Sequence, residues 1–222
     1  LDTAFRGFED LDESVRGLDR FGEQAHDIIS SPTTRKAFDL TLEKTADADR
    51  FGKHEFGQSL LLASRLIEAG VHFVTVRLRP AEFDFDTHTD NFSRLRALLP
   101  PFDQGLAALI DRLKERGLFR ETALMVAGEF GRTPKINAQG GRDHWARAMF
   151  ALMAGGDVLG GQVIGATDDR ASEPTGTGYS PEDLAATFFQ NIGINPQHEF
   201  QTNVGRPINL IRDGRPIEQL FS

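Results

Sequence analysis

The sequence predicts an α/β fold in which a mainly parallel sheet is flanked by helices. Apolar residues spaced by three or four positions indicate helices at residues 58–70 and 102–115. Each helix is followed by a short apolar run typical of a buried strand, at residues 71–78 and 122–127. Because each crossover returns the chain to the same end of the sheet, this alternation favours parallel strands.

The chain before residue 57 is predicted to be a separate helical segment. Between residues 5 and 28, apolar side chains recur every three or four positions, which aligns them on one helical face. A Ser-Pro-Thr sequence at 31–33 ends this helix, a short helix follows at 37–42, and polar residues 44–53 form a connector. We therefore divide the chain into an N-terminal helical segment, 1–56, and an α/β domain, 57–222.

The remainder of the α/β domain continues the same pattern. Strands are predicted at residues 150–154 and 162–165, with a glycine-rich turn between them. Ser180, which precedes a proline and two acidic residues, is typical of a helix N-terminus. Gly70 lies where a helix end favours a left-handed residue.

The composition excludes several classes of function. The 222 residues include 25 lysines and arginines against 33 acidic residues, a formal net charge of -8, so no nucleic-acid partner is expected. The absence of cysteine excludes disulfides and thiol catalysis. Apolar runs are too short for a membrane span. An excess of phenylalanine, 18 against one tyrosine and one tryptophan, suits core or subunit contacts, so a homo-oligomer stays open.

Side chains of the kind that bind metals are concentrated in predicted loops. The first loop follows strand 71–78, and if it is extended its alternation places Asp84, Asp86 and His88 on one side. Asp86 is preferred over Asp84 as a ligand because it belongs to the DTH motif at 86–88, which is described below. The second loop follows strand 122–127 and carries Glu129 and Arg132 between glycines.

A third loop, residues 140–145, adds Asp143 and His144. Ligands of open α/β sheets bind beyond the carboxyl ends of the strands, so we expect the three loops to form one site. A cysteine-free set of nitrogen and oxygen donors favours zinc, with calcium, manganese or magnesium as alternatives. The candidate metal ligands are Asp86, His88, Glu129, Asp143 and His144.

Each loop also has a structural interpretation. An Asp-x-His sequence commonly caps a turn, and Glu129 with Arg132 is equally explained as an ion pair that braces one. The other four histidines are assigned structural or surface positions, in a helix, a connector, a strand and the tail: His26, His54, His72 and His198.

Four motifs in order resemble the bacterial family called domain of unknown function 1501. They are GQSLLLA at 57–63, DTH at 86–88, GEFGRTP at 128–134 and GRDHW at 141–145. The resemblance spans residues 57–207 and places the chain in the alkaline phosphatase and sulfatase superfamily. It implies an alkaline phosphatase-like fold, a metal-dependent ester hydrolase, and a periplasmic or exported location.

The sequence departs from the superfamily pattern at two places. Glu129 occupies the position of a metal-binding Asp, but Phe130 replaces the histidine beside it, which removes one ligand of a second metal ion. Nothing before residue 71 is similar to the strand that carries the superfamily's nucleophile, so the resemblance implies a C-terminal portion of a longer protein. Thr87 is the candidate nucleophile nearest the ligands.

Two functions follow from these observations. In the first, the chain hydrolyses small phosphate or sulfate esters, and a divalent ion held by Asp86, His88 and His144 acts as a Lewis acid or lowers the pKa of a bound water. Arg132 binds the ester anion, and Glu129 and Asp143 are secondary ligands or orient the others. In the second, the chain is a non-catalytic binding or surface-associated module that keeps the fold and a structural ion.

Overall fold

The computed structural model describes residues 22–23, 31–77, 85–176, 178–202 and 204–222. The predicted helix at residues 5–28 lies outside these ranges except for Gly22 and Glu23, which are helical. The α-helices whose bounds the structure gives are α1 (Pro32–Phe38), α2 (Thr45–Arg50), α3 (Glu55–Glu68), α4 (Asn91–Glu115) and α5 (Pro181–Asn191). None of the described helices is both long and apolar enough to cross a bilayer.

Short helices occupy the described residues between 31 and 50. Ser31 caps the N-terminus of α1, because its hydroxyl accepts a hydrogen bond from Thr34 N and a proline follows it. The residues just before Ser31 lie outside the described ranges, so the end of the first helix there stays a prediction. The stretch predicted as a connector, 44–53, contains α2, so that prediction was wrong. Its polar composition reflects a helix exposed over most of its surface.

The hydrophobic core forms where α3 packs against α4. Leu60 and Leu61 of α3 meet Leu109 and Leu113 of α4, and these leucines are at most 6% exposed. Gly57 lets the start of α3 lie against the backbone of Phe51, because a Cβ at that position would lie 1.6 Å from the Phe51 carbonyl oxygen. Helix α3 ends at the predicted glycine, since Gly70 has φ of +87°.

Helix α4 begins eleven residues earlier than the sequence indicates. The predicted start near Phe102 follows Pro100 and Pro101, which remove two amide donors from the helical ladder. The structure continues the helix through both prolines. Leu98 is only 2% exposed, so burial of the first turns stabilises a segment that local propensity disfavours.

The strands correct the predicted sheet. Strands β1 (Leu124–Ala127) and β4 (Ala151–Ala154) pair antiparallel, with Leu124 opposite Ala154. The other strand pairs in the described residues are also antiparallel, so the predicted, mainly parallel sheet is not found there. They are β2 (Gly131–Arg132) with β3 (His144–Trp145), β5 (Ala166–Thr167) with β6 (Pro174–Thr175), and β7 (Glu199–Gln201) with β8 (Pro207–Asn209).

Two predicted strands are not formed as expected. Residues 71–77 are not assigned to a strand, although Val76 packs against the core, and residue 78 lies outside the described ranges. The strand predicted at 162–165 is replaced by the two-residue strand β5 just beyond it. Neither run is buried as a core strand would be, since Phe73 is 67% and Val163 is 96% exposed.

Helix α5 confirms the prediction made from Ser180. The Ser180 hydroxyl accepts a hydrogen bond from Asp183 N, and the Asp183 carboxylate accepts one from Ser180 N, a complete capping box. The Thr187 hydroxyl of the same helix accepts a bond from Ile217 N, which ties the end of the chain to α5.

Candidate metal centre

Two loops far apart in the sequence lie side by side. The amide of Arg142 donates to the Thr87 carbonyl at 2.9 Å, and Thr89 forms an antiparallel bridge with Gly140. In the hairpin formed by β2 and β3, Arg132 lies opposite His144. These contacts bring the first predicted loop together with the second and third, as the sequence interpretation requires.

Gly141 lies where the two loops are closest. A Cβ at this position would lie 1.9 Å from the carbonyl oxygen of His88, which no side chain can tolerate. The neighbouring amide of Asn91 donates to the Gly140 carbonyl at 3.0 Å. The backbones themselves are therefore in contact, and the distance between His88 and His144 follows from that contact.

Three donor atoms converge between these loops. Nε2 of His88 lies 3.1 Å from Nε2 of His144, and Oδ1 of Asp86 lies 3.0 Å from each of these nitrogens. The three atoms form a nearly equilateral triangle. Within the described part of the chain this is the group of three or more ligand-type residues whose geometry suits a metal ion.

Asp143 fixes the proton of His88 on the side away from the triangle. Its Oδ1 lies 2.9 Å from Nδ1 of His88, and a carboxylate only accepts hydrogen bonds, so Nδ1 is the donor. In a neutral ring Nε2 then presents a lone pair to Asp86, which is another acceptor. A second proton on the ring or a cation between the three atoms resolves this meeting of lone pairs, and the three atoms are placed to hold the cation.

Hydrogen bonds keep Asp143 ionised. Those from His88 and, next in size, Asn137 lower the pKa of the Asp143 carboxyl below its usual value. An ionised Asp143 strengthens the bond to His88 Nδ1 and makes Nε2 a better donor to a metal ion. The structure thus gives Asp143 a position behind a ligand rather than among the three converging atoms.

Arg132 pairs with the third donor. Its Nη1 contacts Asp86 Oδ1, and its guanidinium carbon lies 5.7 Å from the centre of the Phe130 ring. Partial burial tends to raise the pKa of Asp86, but the hydrogen bonds from Arg132 and His144 outweigh it, and the pKa lies below its usual value. The Asp86 carboxylate is therefore charged and available as a ligand.

The structure does not bring every predicted residue to the triangle. Glu129 is exposed and does not belong to the group of converging donors. The hydroxyl of Thr87 is directed elsewhere, because the residue is 1% exposed and donates to Asn91 Oδ1 at 2.6 Å. Asp84, the alternative to Asp86, lies outside the described residues.

Asn137 contacts both loops, and the sequence interpretation missed it. Its Nδ2 donates to the His88 carbonyl at 3.0 Å and to Asp143 Oδ1 at 3.1 Å. The only signal in the sequence is that Asn137 lies three residues before the pair Gly140-Gly141, which indicates a turn and nothing more.

The other described histidines are not part of the triangle. His54 precedes α3, where its Nδ1 accepts a hydrogen bond from Gly57 N at 3.1 Å. The His198 ring packs against Phe200 with centroids 4.6 Å apart. His72 is exposed, and His26 lies outside the described residues.

The described residues form a mixed protein of α-helices and small antiparallel sheets, with a candidate metal centre of two imidazoles and one carboxylate. The chain belongs to the family described as protein of unknown function (DUF1501), whose model matches residues 3–221. Comparisons with curated proteins and with solved structures gave no match.

Proposed function

We propose that this protein is a metal-dependent hydrolase of small phosphate or sulfate esters. The observation that carries the proposal is the triangle of Asp86, His88 and His144, with edges of 3.0 to 3.1 Å. The ester class comes from the four sequence motifs and not from the fold, because the described sheets are antiparallel.

The three donors fit a zinc-like ion. Bonds of about 2.0–2.1 Å in tetrahedral geometry place ligand atoms about 3.3 Å apart, close to the separations in the triangle. Two imidazoles favour zinc over calcium, magnesium and manganese, which are better suited to oxygen ligands. All three side chains are 44 to 51% exposed, so a further position is accessible to water and substrate.

A bound divalent ion would supply Lewis-acid chemistry at the ester. Arg132 contributes a fixed positive charge at the edge of the triangle, suited to two oxygens of a phosphate or sulfate group. Water is the proposed nucleophile, because the Thr87 hydroxyl is buried and bonded to Asn91. Its attack on phosphorus or sulfur releases the alcohol and leaves the inorganic anion.

Some parts of the proposal do not depend on the three converging donor atoms. Glu129 is proposed to act on the substrate or the attacking water and not on the ion, because it is exposed outside the group of donors. Membership of the alkaline phosphatase and sulfatase superfamily, export, and self-association stay predictions from the sequence.

The test combines metal content with turnover. Elemental analysis of the full chain, expressed with zinc or manganese, should find bound metal that His88→Ala and His144→Ala lose. His198→Ala is the matched control and should keep it. Turnover of an aryl phosphate or an aryl sulfate should require the metal and fall in Arg132→Ala and Glu129→Gln. Metal content unchanged in both histidine variants would contradict the ligand assignment.

A second candidate is a binding module with a structural ion. It is favoured by Phe130, whose ring lies 4.3 Å from the His144 ring where the superfamily pattern has another metal ligand. Under this alternative the metal is retained, its removal lowers the melting temperature, and neither ester is hydrolysed. Turnover that depends on Arg132 would eliminate it.

A further inference from the structure

The geometry points to Asn137 as the positioning residue that holds the two loops of the metal centre in register. This inference rests on the proposed metal site and adds a residue that acts through His88 and Asp143. Asn137 itself does not belong to the triangle of donor atoms.

The side-chain amide of Asn137 makes four hydrogen bonds. Its Oδ1 accepts from Gln139 N at 3.0 Å and from Gly141 N at 2.9 Å. Its Nδ2 donates to the His88 carbonyl at 3.0 Å and to Asp143 Oδ1 at 3.1 Å. An amide has two donors and two acceptor lone pairs, so its whole capacity is used.

The partners also fix which way the amide is turned. Both atoms around Oδ1 are backbone amides, which only donate, and both atoms around Nδ2 are oxygens that only accept. The reversed amide would place donor against donor and acceptor against acceptor. The oxygen therefore shapes the turn, while the nitrogen links the turn to a histidine backbone and to a carboxylate.

These bonds act on a ligand from two sides. One holds the backbone of His88, and the other holds Asp143, whose carboxylate orients the His88 ring through Nδ1 at 2.9 Å. Loss of the Asn137 nitrogen leaves the His88 backbone and the Asp143 carboxylate free to shift. Mutation of residues that support a metal ligand in this way typically lowers metal affinity by about 10- to 100-fold.

Asn137→Asp separates the two functions of the amide. The carboxylate keeps acceptors for Gln139 N and Gly141 N, so the turn keeps its bonds. It also places an oxygen against two other acceptors, Asp143 and the His88 carbonyl. Asn191→Asp is a matched control, because the Oδ1 of that half-buried asparagine accepts from Asp157 N and its Nδ2 donates to the Gly155 carbonyl, away from the triangle.

The experiment measures Co²⁺ affinity by chelator competition and the visible absorption of the bound cobalt, together with melting temperatures. We expect Asn137→Asp to weaken binding by about 10- to 100-fold and to change the cobalt spectrum. Asn191→Asp should bind like the wild type even where it melts earlier. Asn137→Ser removes both the amide donor and the amide acceptor, so it tests the whole side chain if the aspartate variant cannot be purified.

The outcomes separate the two proposals. Wild-type affinity and spectrum in the Asn137 variants would overturn the role of Asn137 and leave the metal site standing. Equal loss in the Asn137 and Asn191 variants would show a general effect on folding and would also overturn it. A wild-type chain that binds no cobalt, zinc or manganese would overturn the metal site itself, and this inference with it.

Discussion

Two clusters of charged and polar side chains in this protein differ in burial and in how their groups are paired. Between the helices, Arg112 pairs with Glu43 through two hydrogen bonds of 2.8 and 3.1 Å and with Glu68 at 2.6 Å, while Arg65 also contacts Glu43. The side chains of Arg112 and Glu43 are 5% and 9% exposed. Each positive group there faces a negative one.

The metal centre is built differently. Arg132 pairs with Asp86, but two imidazole nitrogens also converge on that carboxylate, and the side chains of the three converging donors are 44 to 51% exposed. A buried ion pair is complete without any further group, whereas accessible imidazole and carboxylate atoms that converge suit a metal ion from outside. The kind of side chain and its exposure therefore separate a cluster that stabilises the fold from one suited to a ligand.

The largest expected effect comes from breaking the buried cluster. Arg112→Met keeps most of the side-chain volume but leaves Glu43 and Glu68 without their main partner. Removing one member of a buried ion pair costs about 3–5 kcal/mol, so the free energy of unfolding measured with urea should fall by that amount. Metal content per folded molecule should not change. A loss below about 1 kcal/mol, typical of exposed pairs, would contradict the structural role.

An intermediate effect is expected at the centre. Asp143→Ala should weaken metal affinity by about 10- to 100-fold, because the His88 ring loses the acceptor that orients it. The free energy of unfolding should stay close to that of the wild type, since the residue is exposed. Asp143→Asn keeps an oxygen for Nδ1 and should lose less affinity than the alanine variant. A cobalt spectrum that reports one ligand fewer would instead assign Asp143 as a direct ligand.

The smallest expected effect is a pH dependence of the buried cluster. The hydrogen bond from Arg112 lowers the pKa of Glu43, although burial acts in the opposite direction. The resulting stability is fully present above the unfolded pKa, about 4.3, and is lost as the pH falls through the lower pKa of the folded state. A neutral carboxyl can still accept hydrogen bonds, so the loss is smaller than in Arg112→Met.

Urea unfolding between pH 6 and pH 3 measures this dependence. Glu43→Gln cannot titrate at this position, so its stability should fall less steeply than that of the wild type over the acid part of the range. Parallel curves for the two proteins would show that Glu43 has the same pKa folded and unfolded.

The sequence predicts local features of the fold better than strand pairing. The cap at Ser180 and the left-handed Gly70 depend on neighbours within a few residues, and both are confirmed. The start of α4 and the direction of the sheet depend on distant contacts. Burial of Leu98 decides the first, and the pairing of Leu124 with Ala154 decides the second.

The metal centre shows the same division. The sequence singles out His88 and His144 because their residue type and their loops indicate ligands, and the structure brings them together. It does not separate Asp143 from the direct ligands, since spacing does not reveal which side of a histidine ring a carboxylate faces. Asn137 has no distinguishing type at all, and only the tertiary structure shows what its amide contacts.

Transplanting this centre into a host scaffold would demand more than copying its donors. At position 141 the crossing chains leave no room even for a methyl group, since an added carbon would lie 1.9 Å from a carbonyl oxygen. The host would first have to reproduce this close backbone contact, with glycine at the corresponding position. A host with a larger side chain at that position would hold the loops that carry the two histidines further apart.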